Sequence, residues 1–224
     1  MQRIIYSVIF YLALPAILVR LLIRSVKVAA YRKRIGERFA LQPIPQGLDK
    51  NKLTIWIHAV SVGETAASAP LVAELKRRYP DAQIVMTTMT PTGSDRAQLL
   101  FSESVFHAYV PYDLPGSCNR FLDKYHPSLL ILMETELWPN LVHSCHNRGV
   151  KVLVANGRLS ERSAAGYGRF ATFTGSLLEK IDRIAAQAAP DAQRFIELGA
   201  KSEQVVVTGS LKFLVEVNEK EKQA

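Results

Sequence analysis

Seven short runs rich in Val, Ile and Leu, separated by segments of helical length, occupy the chain from residue 53 onward, and this alternation restricts the fold more than any other feature. The runs are Leu53–His58, Gln83–Thr88, Val105–Val110, Leu129–Met133, Val150–Ala155, Arg183–Ala186 and Gln204–Val207. Runs this apolar are buried on both faces, and crossovers of this size join parallel neighbours. The helical patterns between them cover Glu64–Tyr79, Gly93–Phe101, Gly116–Tyr125, Pro139–Arg148, Ser176–Ile181 and Asp191–Leu198. The sequence therefore predicts an α/β chain, with a Rossmann-like doubly wound parallel sheet over residues 53–213. A hydrophobic share of 48% over 224 residues supplies a core of that size and excludes wholesale disorder.

The charge is unevenly placed. Residues 1–40 hold eight Lys or Arg and only Glu37, so +7 of the net +8 lies there. The body is nearly neutral, which removes the basic surface that a nucleic-acid partner needs. Ile4–Val19 contains no charge, and Leu21, Leu22 and Ile23 extend the apolar stretch past Arg20. A hydrocarbon core takes roughly 20 apolar residues, so residues 1–40 read as a membrane-anchoring helix with a basic flank, either a short span or a deeply inserted interfacial helix. Arg20, Arg24, Lys27, Arg32, Lys33, Arg34 and Arg38 follow the run and only Arg3 precedes it. That asymmetry places the body on the cytoplasmic face, and basic residues beside an apolar helix attract anionic inner-membrane lipids. A cleaved leader is the competing reading, but charges fill the interval where a cleavage region should be neutral. Residues 41–52 form a Pro/Gly linker. Two cysteines, Cys118 and Cys145, exclude a disulfide framework and suit a reducing compartment.

In a doubly wound sheet, ligands gather beyond the carboxyl ends of the strands. Four segments fall on that edge: His58–Glu64, Thr87–Ser94, Met133–Asn140 and Asn156–Ser160. They offer a carboxylate entering a helix (Glu64), a loop of hydroxyls and Gly (Thr90, Thr92, Gly93, Ser94), and two further carboxylates (Glu134, Glu136). Neither a G-x-G-x-x-G turn nor a G-x-x-x-x-G-K-[ST] loop occurs, which argues against dinucleotide enzymes and P-loop NTPases. The set suits a polyhydroxylated, phosphorylated ligand. His143, Cys145 and His146 fail as a metal site because position 145 points about 100° from 146 on a helix. His58, ending a buried strand, reads as a core histidine.

The strings SVGET (61–65), TTMTPTGS (87–94), PYDLP (111–115), METELWPN (133–140), RLS (158–160) and TGSLKF (208–213), in this order, resemble bacterial 3-deoxy-D-manno-octulosonic acid (Kdo) transferase. YRKRIGERF (31–39) and the apolar N-terminus extend the resemblance over nearly the whole chain. The chain departs from the family pattern at Gly157, where Ala is usual, and at Leu214, where Asp commonly follows the Lys-Phe pair.

The resemblance implies a GT-B glycosyltransferase of two Rossmann-like domains, of which this chain supplies the N-terminal, acceptor-binding one. Residues 214–224 would then be a polar tail where the donor domain starts, and the chain alone is expected to be inactive. The implied reaction transfers Kdo from CMP-Kdo to the 6′-hydroxyl of the lipid A precursor, with inversion. By the same resemblance Glu64 is the general base, and Glu134 and Lys212 stabilise the transition state. Ser61, Gly63, Thr90, Thr92, Gly93, Ser94, Glu136 and Arg158 are expected to line the acceptor pocket, Glu136 chiefly by ordering its loop. No metal or other cofactor is implied, and CMP-Kdo would bind only with a donor domain. Two alternatives stand: a non-enzymatic module that binds lipid headgroups, and another GT-B transferase with a membrane acceptor, against which METELWPN argues.

Overall fold

The computed structural model describes residues 1–211. Seven parallel strands form one sheet in the order β3-β2-β1-β4-β5-β6-β7. They are β1 (Thr54–His58), β2 (Gln83–Thr88), β3 (Phe106–Tyr109), β4 (Leu129–Met133), β5 (Lys151–Gly157), β6 (Arg183–Ala186) and β7 (Val205–Val207). All seven coincide with the expected runs to within a few residues. The order runs outward from β1 to β3, then restarts at β4 on the other side of β1, so the topological switch point lies between β1 and β4.

Alternation along each strand divides the core between two faces. Trp56, Leu130, Leu132, Val152, Val154 and Ile184 point into one cluster with Phe121, Leu141 and Phe195. Ile55, Ile57, Ile84, Met86, Ile131 and Met133 point into the other, with Val72, Ala97 and Phe101. The second face is covered by α2 (Val62–Ala67), α3 (Ala69–Arg78) and α4 (Pro91–Phe101). The first is covered by α5 (Pro115–Tyr125), α6 (Pro139–Asn147), α8 (Ala171–Leu178) and α9 (Ala189–Glu197).

Two helical expectations change. The segment Glu64–Tyr79 is two helices: the Ser68 hydroxyl turns back onto the Thr65 carbonyl at 2.8 Å, and Pro70, lacking an N–H, starts a new helix. A helix α7 (Glu161–Gly168) was not expected, and α8 begins earlier than the expected Ser176. The α7 residues ERSAAGYG have two Gly, and no side chain of the helix is buried, so no apolar period marks it. Its start is set by Ser160, whose hydroxyl accepts from Ser163 N at 3.2 Å.

The N-terminal helix α1 (Gln2–Lys27) runs unbroken through Pro15 and is about 39 Å long. Positions 3, 6, 7, 10, 14, 17, 18, 21 and 25 are covered, a continuous 3–4 repeat. Ile4, Ile5, Val8, Ile9, Leu12, Val19, Leu22, Ile23 and Val26 are exposed on the opposite face. The covered face is docked: Arg3 Nη1 and Ser7 Oγ both donate to Asn140 Oδ1 at 3.1 Å, and the Phe10 ring lies 6.4 Å from Tyr112.

The basic flank is only partly available to lipid. Arg34 forms a bidentate pair with Glu37 (2.6 and 2.8 Å) and donates to Ser94 Oγ at 3.1 Å. Arg38 is buried, donates to the Met89 carbonyl at 3.0 Å and lies 4.5 Å from the centre of the Tyr109 ring. These two arginines clamp the segment onto the β2–β3 end of the sheet, which corrects the expectation that they face headgroups. Arg20, Arg24, Lys27, Arg32 and Lys33 remain exposed.

Candidate functional site

Because the strands are parallel, the loops after β1, β2, β4 and β5 emerge along one edge. Strand spacing makes that edge roughly 14 Å wide from β2 to β5. Glu64 comes from the loop after β1, while Glu134 and Glu136 come from the loop after β4, so the three carboxylates flank the switch point.

Glu64 is built into a helix start. Ser61 Oγ accepts from Glu64 N at 3.2 Å, and Glu64 Oε2 accepts from Val60 N at 2.8 Å, a reciprocal cap displaced by one residue from the usual box. Its side chain is buried, and burial pushes its pKa up. The hydrogen bonds from Ser61 and Val60 oppose that rise, while the negative charges of Glu136 and Glu134 add to it. With its pKa raised, the group is a stronger base than a solvated glutamate. Gly63 beside it is exposed, and a Cβ there would meet only Ser61 Oγ at 3.8 Å. Packing does not demand this Gly.

Glu134 occupies a left-handed backbone conformation (φ 58°) at the end of β4, its amide donating to the Ala155 carbonyl at 2.9 Å. This is rare for a residue with a Cβ and turns the chain sharply over the switch point. Glu136 Oε2 accepts from Trp138 Nε1 at 2.9 Å within the same loop, and burial raises its pKa. Trp138 stands edge-on to the His58 ring at 5.5 Å.

His58 is fully buried. Its Nδ1 lies 3.0 Å from Thr87 Oγ1, whereas Nε2 has no partner among the described residues. Burial pushes its pKa down to about 4. An unfolded histidine, near 6.5, takes up a proton that the folded one refuses. Stability is therefore full above pH 6.5 and falls by about 3 kcal/mol as pH drops to about 4. His107, which burial and the Arg34 charge hold down to about 3, adds a slope of the same sign, so unfolding midpoints should fall between pH 7 and 4 and His58→Gln should make that fall shallower without abolishing it.

The hydroxyl loop divides between two tasks. Thr90 Oγ1 accepts from Gly93 N at 3.1 Å and sits 3.3 Å from Thr92 Oγ1, starting α4. Gly93 is closely packed: a Cβ would lie 3.1 Å from Thr90 Oγ1 and 3.3 Å from Thr88 Cβ, so a larger residue fits only if those side chains shift by a few tenths of an ångström. Gly93→Ala should cost about 1–2 kcal/mol, read by denaturant unfolding. Ser94 is buried and holds Arg34, so it does not open onto the edge as expected. Thr92 is exposed.

Arg158 is exposed and makes no ion pair with another described residue. Its carbonyl accepts from the Thr135 hydroxyl. Lys212 lies outside the described residues; the described part of its motif ends at Leu211, whose amide donates to Asn156 Oδ1 at 3.0 Å. A Cβ on Gly157 would come within 3.3 Å of Ala185 O, Phe195 Cε2 and Val154 Cγ1, so Gly sits here in close packing.

Two residues that position the site escaped the sequence reading. Asp113, within PYDLP, is fully buried; its carboxylate accepts from Asn140 N (3.0 Å) and Leu141 N (2.7 Å), anchoring the start of α6 just past the Glu134–Trp138 loop. Asn156, at φ 56°, brings the segment up to Leu211 onto the edge. The signal for Asp113 was an acidic residue amid prolines, which reads equally as a turn. Among the described residues no three His, Cys, Asp or Glu are grouped to hold a metal ion.

Known structures share this architecture. The UDP-GlcNAc 2-epimerase of Neisseria meningitidis superposes with a TM-score of 0.55 at 12% identity, over 76% of this chain and 53% of that one, a likeness of fold. Sequence relatives are nearer. The 3-deoxy-D-manno-octulosonic acid transferase of Haemophilus influenzae is 41% identical over 98% of this chain and 51% of its own length. That of Bordetella pertussis is 36% identical over 83% of this chain and 42% of its own. The chain thus spans about half the length of the curated relatives it matches. The family model of 3-deoxy-D-manno-octulosonic-acid transferase (kdotransferase) matches residues 33–215, which include the whole sheet and all four edge loops. By that match the chain belongs to the Kdo transferase family.

Proposed function

We propose that this chain forms the acceptor-binding half of an inverting GT-B glycosyltransferase that moves Kdo from CMP-Kdo to the 6′-hydroxyl of the lipid A precursor in lipopolysaccharide assembly. The observation that carries the reading is the convergence of Glu64, Glu134 and Glu136 on the switch point, beside exposed Gly63 and the Thr90–Thr92 hydroxyls.

Inversion takes one direct displacement, and a sugar hydroxyl attacks only as its proton leaves. Glu64, with a raised pKa, accepts that proton. Glu134 steadies positive charge developing on the anomeric carbon, and Lys212 offsets charge on the departing CMP phosphate. Ser61, Gly63, Thr90 and Thr92 contact the acceptor. Glu136, Gly93 and Ser94 act through the loops they hold. The exposed Arg158 pairs with an acceptor phosphate. Side chains fill every role, so the reading calls for no metal.

The reading places the chain on the cytoplasmic face of the inner membrane, with α1 lying in the interface. The docking of this helix onto the body through Arg3 and Ser7 favours a helix lying along the interface over one that crosses a hydrocarbon core of about 30 Å. Its outer apolar stripe faces acyl chains, with Arg20, Arg24 and Lys27 near headgroups.

The test is binding of lipid A precursor to the 224-residue chain in detergent, beside transfer of labelled Kdo from CMP-Kdo with and without the C-terminal half of the Haemophilus influenzae relative. Binding by the chain, with transfer once that half is supplied, is the expected result. No acceptor binding, or transfer by the chain alone, would overturn the reading.

A further inference from the structure

A second site lies away from the carboxylate edge, where α1 crosses α6 and α8. A pocket of about 330 Å³ is lined there by Arg3, Pro139, His143, Ser176 and Lys180, among others, and no carboxylate lines it. Its cations act on one another: burial lowers the His143 pKa, and the charges of Arg3 and Lys180 lower it further. Arg3 is held in place by Asn140 at 3.1 Å, and Lys180 by the Ser176 carbonyl at 2.7 Å. Both ammonium and guanidinium keep further donors for a ligand.

The pocket adjoins an apolar groove of about 380 Å³, with Gln2 and Phe173 common to both. Ile5, Tyr6, Ile9 and Phe170 complete the groove. Phe170 is 68% exposed and Ile9 60%, on the same side as the outer stripe of α1. A cationic pocket without counter-charge, opening into an apolar groove at a membrane-facing surface, matches a phosphate head joined to an acyl chain.

We propose that the α1–α8 cleft binds one anionic phospholipid of the bilayer, its phosphate between Arg3 and Lys180 and one acyl chain along Phe170 and Phe173. The site rests on the interfacial reading of α1 and is separate from the acceptor edge. It fixes the rotation of α1, and with it the direction in which the Glu64 edge faces the membrane.

The full chain, in neutral detergent, is titrated with phosphatidylglycerol, phosphatidylcholine or inorganic phosphate, with bound lipid counted by native mass spectrometry and hydrogen exchange followed over residues 171–180. One equivalent of phosphatidylglycerol should bind at least tenfold more tightly than phosphatidylcholine and protect that segment. Lys180→Gln, and the Arg3→Gln/Lys180→Gln pair, should lower phosphatidylglycerol affinity about tenfold or more while leaving phosphatidylcholine binding unchanged, and Lys180→Gln, whose ammonium reaches only the Ser176 carbonyl, should also leave the unfolding midpoint unchanged. Equal binding of the two lipids, equal protection by phosphate alone, unaltered binding by the variants, or displacement of phosphatidylglycerol by lipid A precursor would each overturn the proposal. Sedimentation with phosphatidylcholine vesicles separates the two claims: if wild-type chain stays in solution the interfacial reading fails, and if it sediments but the variants keep lipid preference only the cleft fails.

Discussion

Glu64→Gln, placed in a protein that carries both halves, should lower Kdo transfer about a thousandfold, the scale of a lost general base. The amide still accepts from Val60 N, so the cap persists and the fold is spared. Acceptor affinity should stay within about twofold, because the loss belongs to the transition state and appears in kcat with KM unchanged. The raised pKa adds a second signature. Burial and the charges of Glu134 and Glu136 hold Glu64 above the ordinary carboxylate range, so the acid limb of the pH–rate profile should sit above that of a solvated glutamate. Glu136→Gln, by removing one of those charges, should move that limb down in pH. An unshifted limb, or turnover by Glu64→Gln near the wild-type rate, would remove Glu64 as the base.

Asp113→Ala should be the most destabilising single change near the site, costing about 3 kcal/mol in denaturant unfolding. It strips two backbone N–H groups at the start of α6 of a buried acceptor, while the main-chain carbonyl that accepts from the Asn140 amide at 2.7 Å is kept. Asn140 also receives Arg3 and Ser7, so the variant should loosen the docking of α1. Asp113→Asn, which keeps one carbonyl oxygen, should lose less than half as much. A cost below about 1 kcal/mol for the alanine variant would show that α6 does not depend on this cap.

The sheet was legible because each strand is buried on both faces and therefore reads as an unbroken apolar run. Trp56 and Ile57 point to opposite cores, yet both are apolar, and turn residues bound each run. The reversal at β1 and β4 follows from topology once the strands are parallel, so the gathering of Glu64, Glu134 and Glu136 could be anticipated. What failed had weak or ambiguous local signals. Helix α7 fully buries no side chain and rests on the core only through half-buried Ala164 and Tyr167, too few to mark an apolar stripe. Ser68 and Pro70 split a helix whose hydrophobic period continues across the break. Arg34 and Arg38 counted as membrane-facing charge in the sequence, but their partners, Ser94, Met89 and Tyr109, are distant in the chain and only the fold brings them together. Ser94 was misplaced for the same reason. The raised pKa of Glu64 depends on burial and on carboxylates some seventy residues away, which spacing does not reveal.

Hydrogen exchange of the 224-residue chain with and without lipid A precursor tests the acceptor edge most directly. Protection confined to residues 60–65, 90–94 and 134–138, and reproduced by the phosphorylated disaccharide headgroup alone, is the predicted result. Protection elsewhere with these three loops unchanged would contradict the account, whatever the affinity.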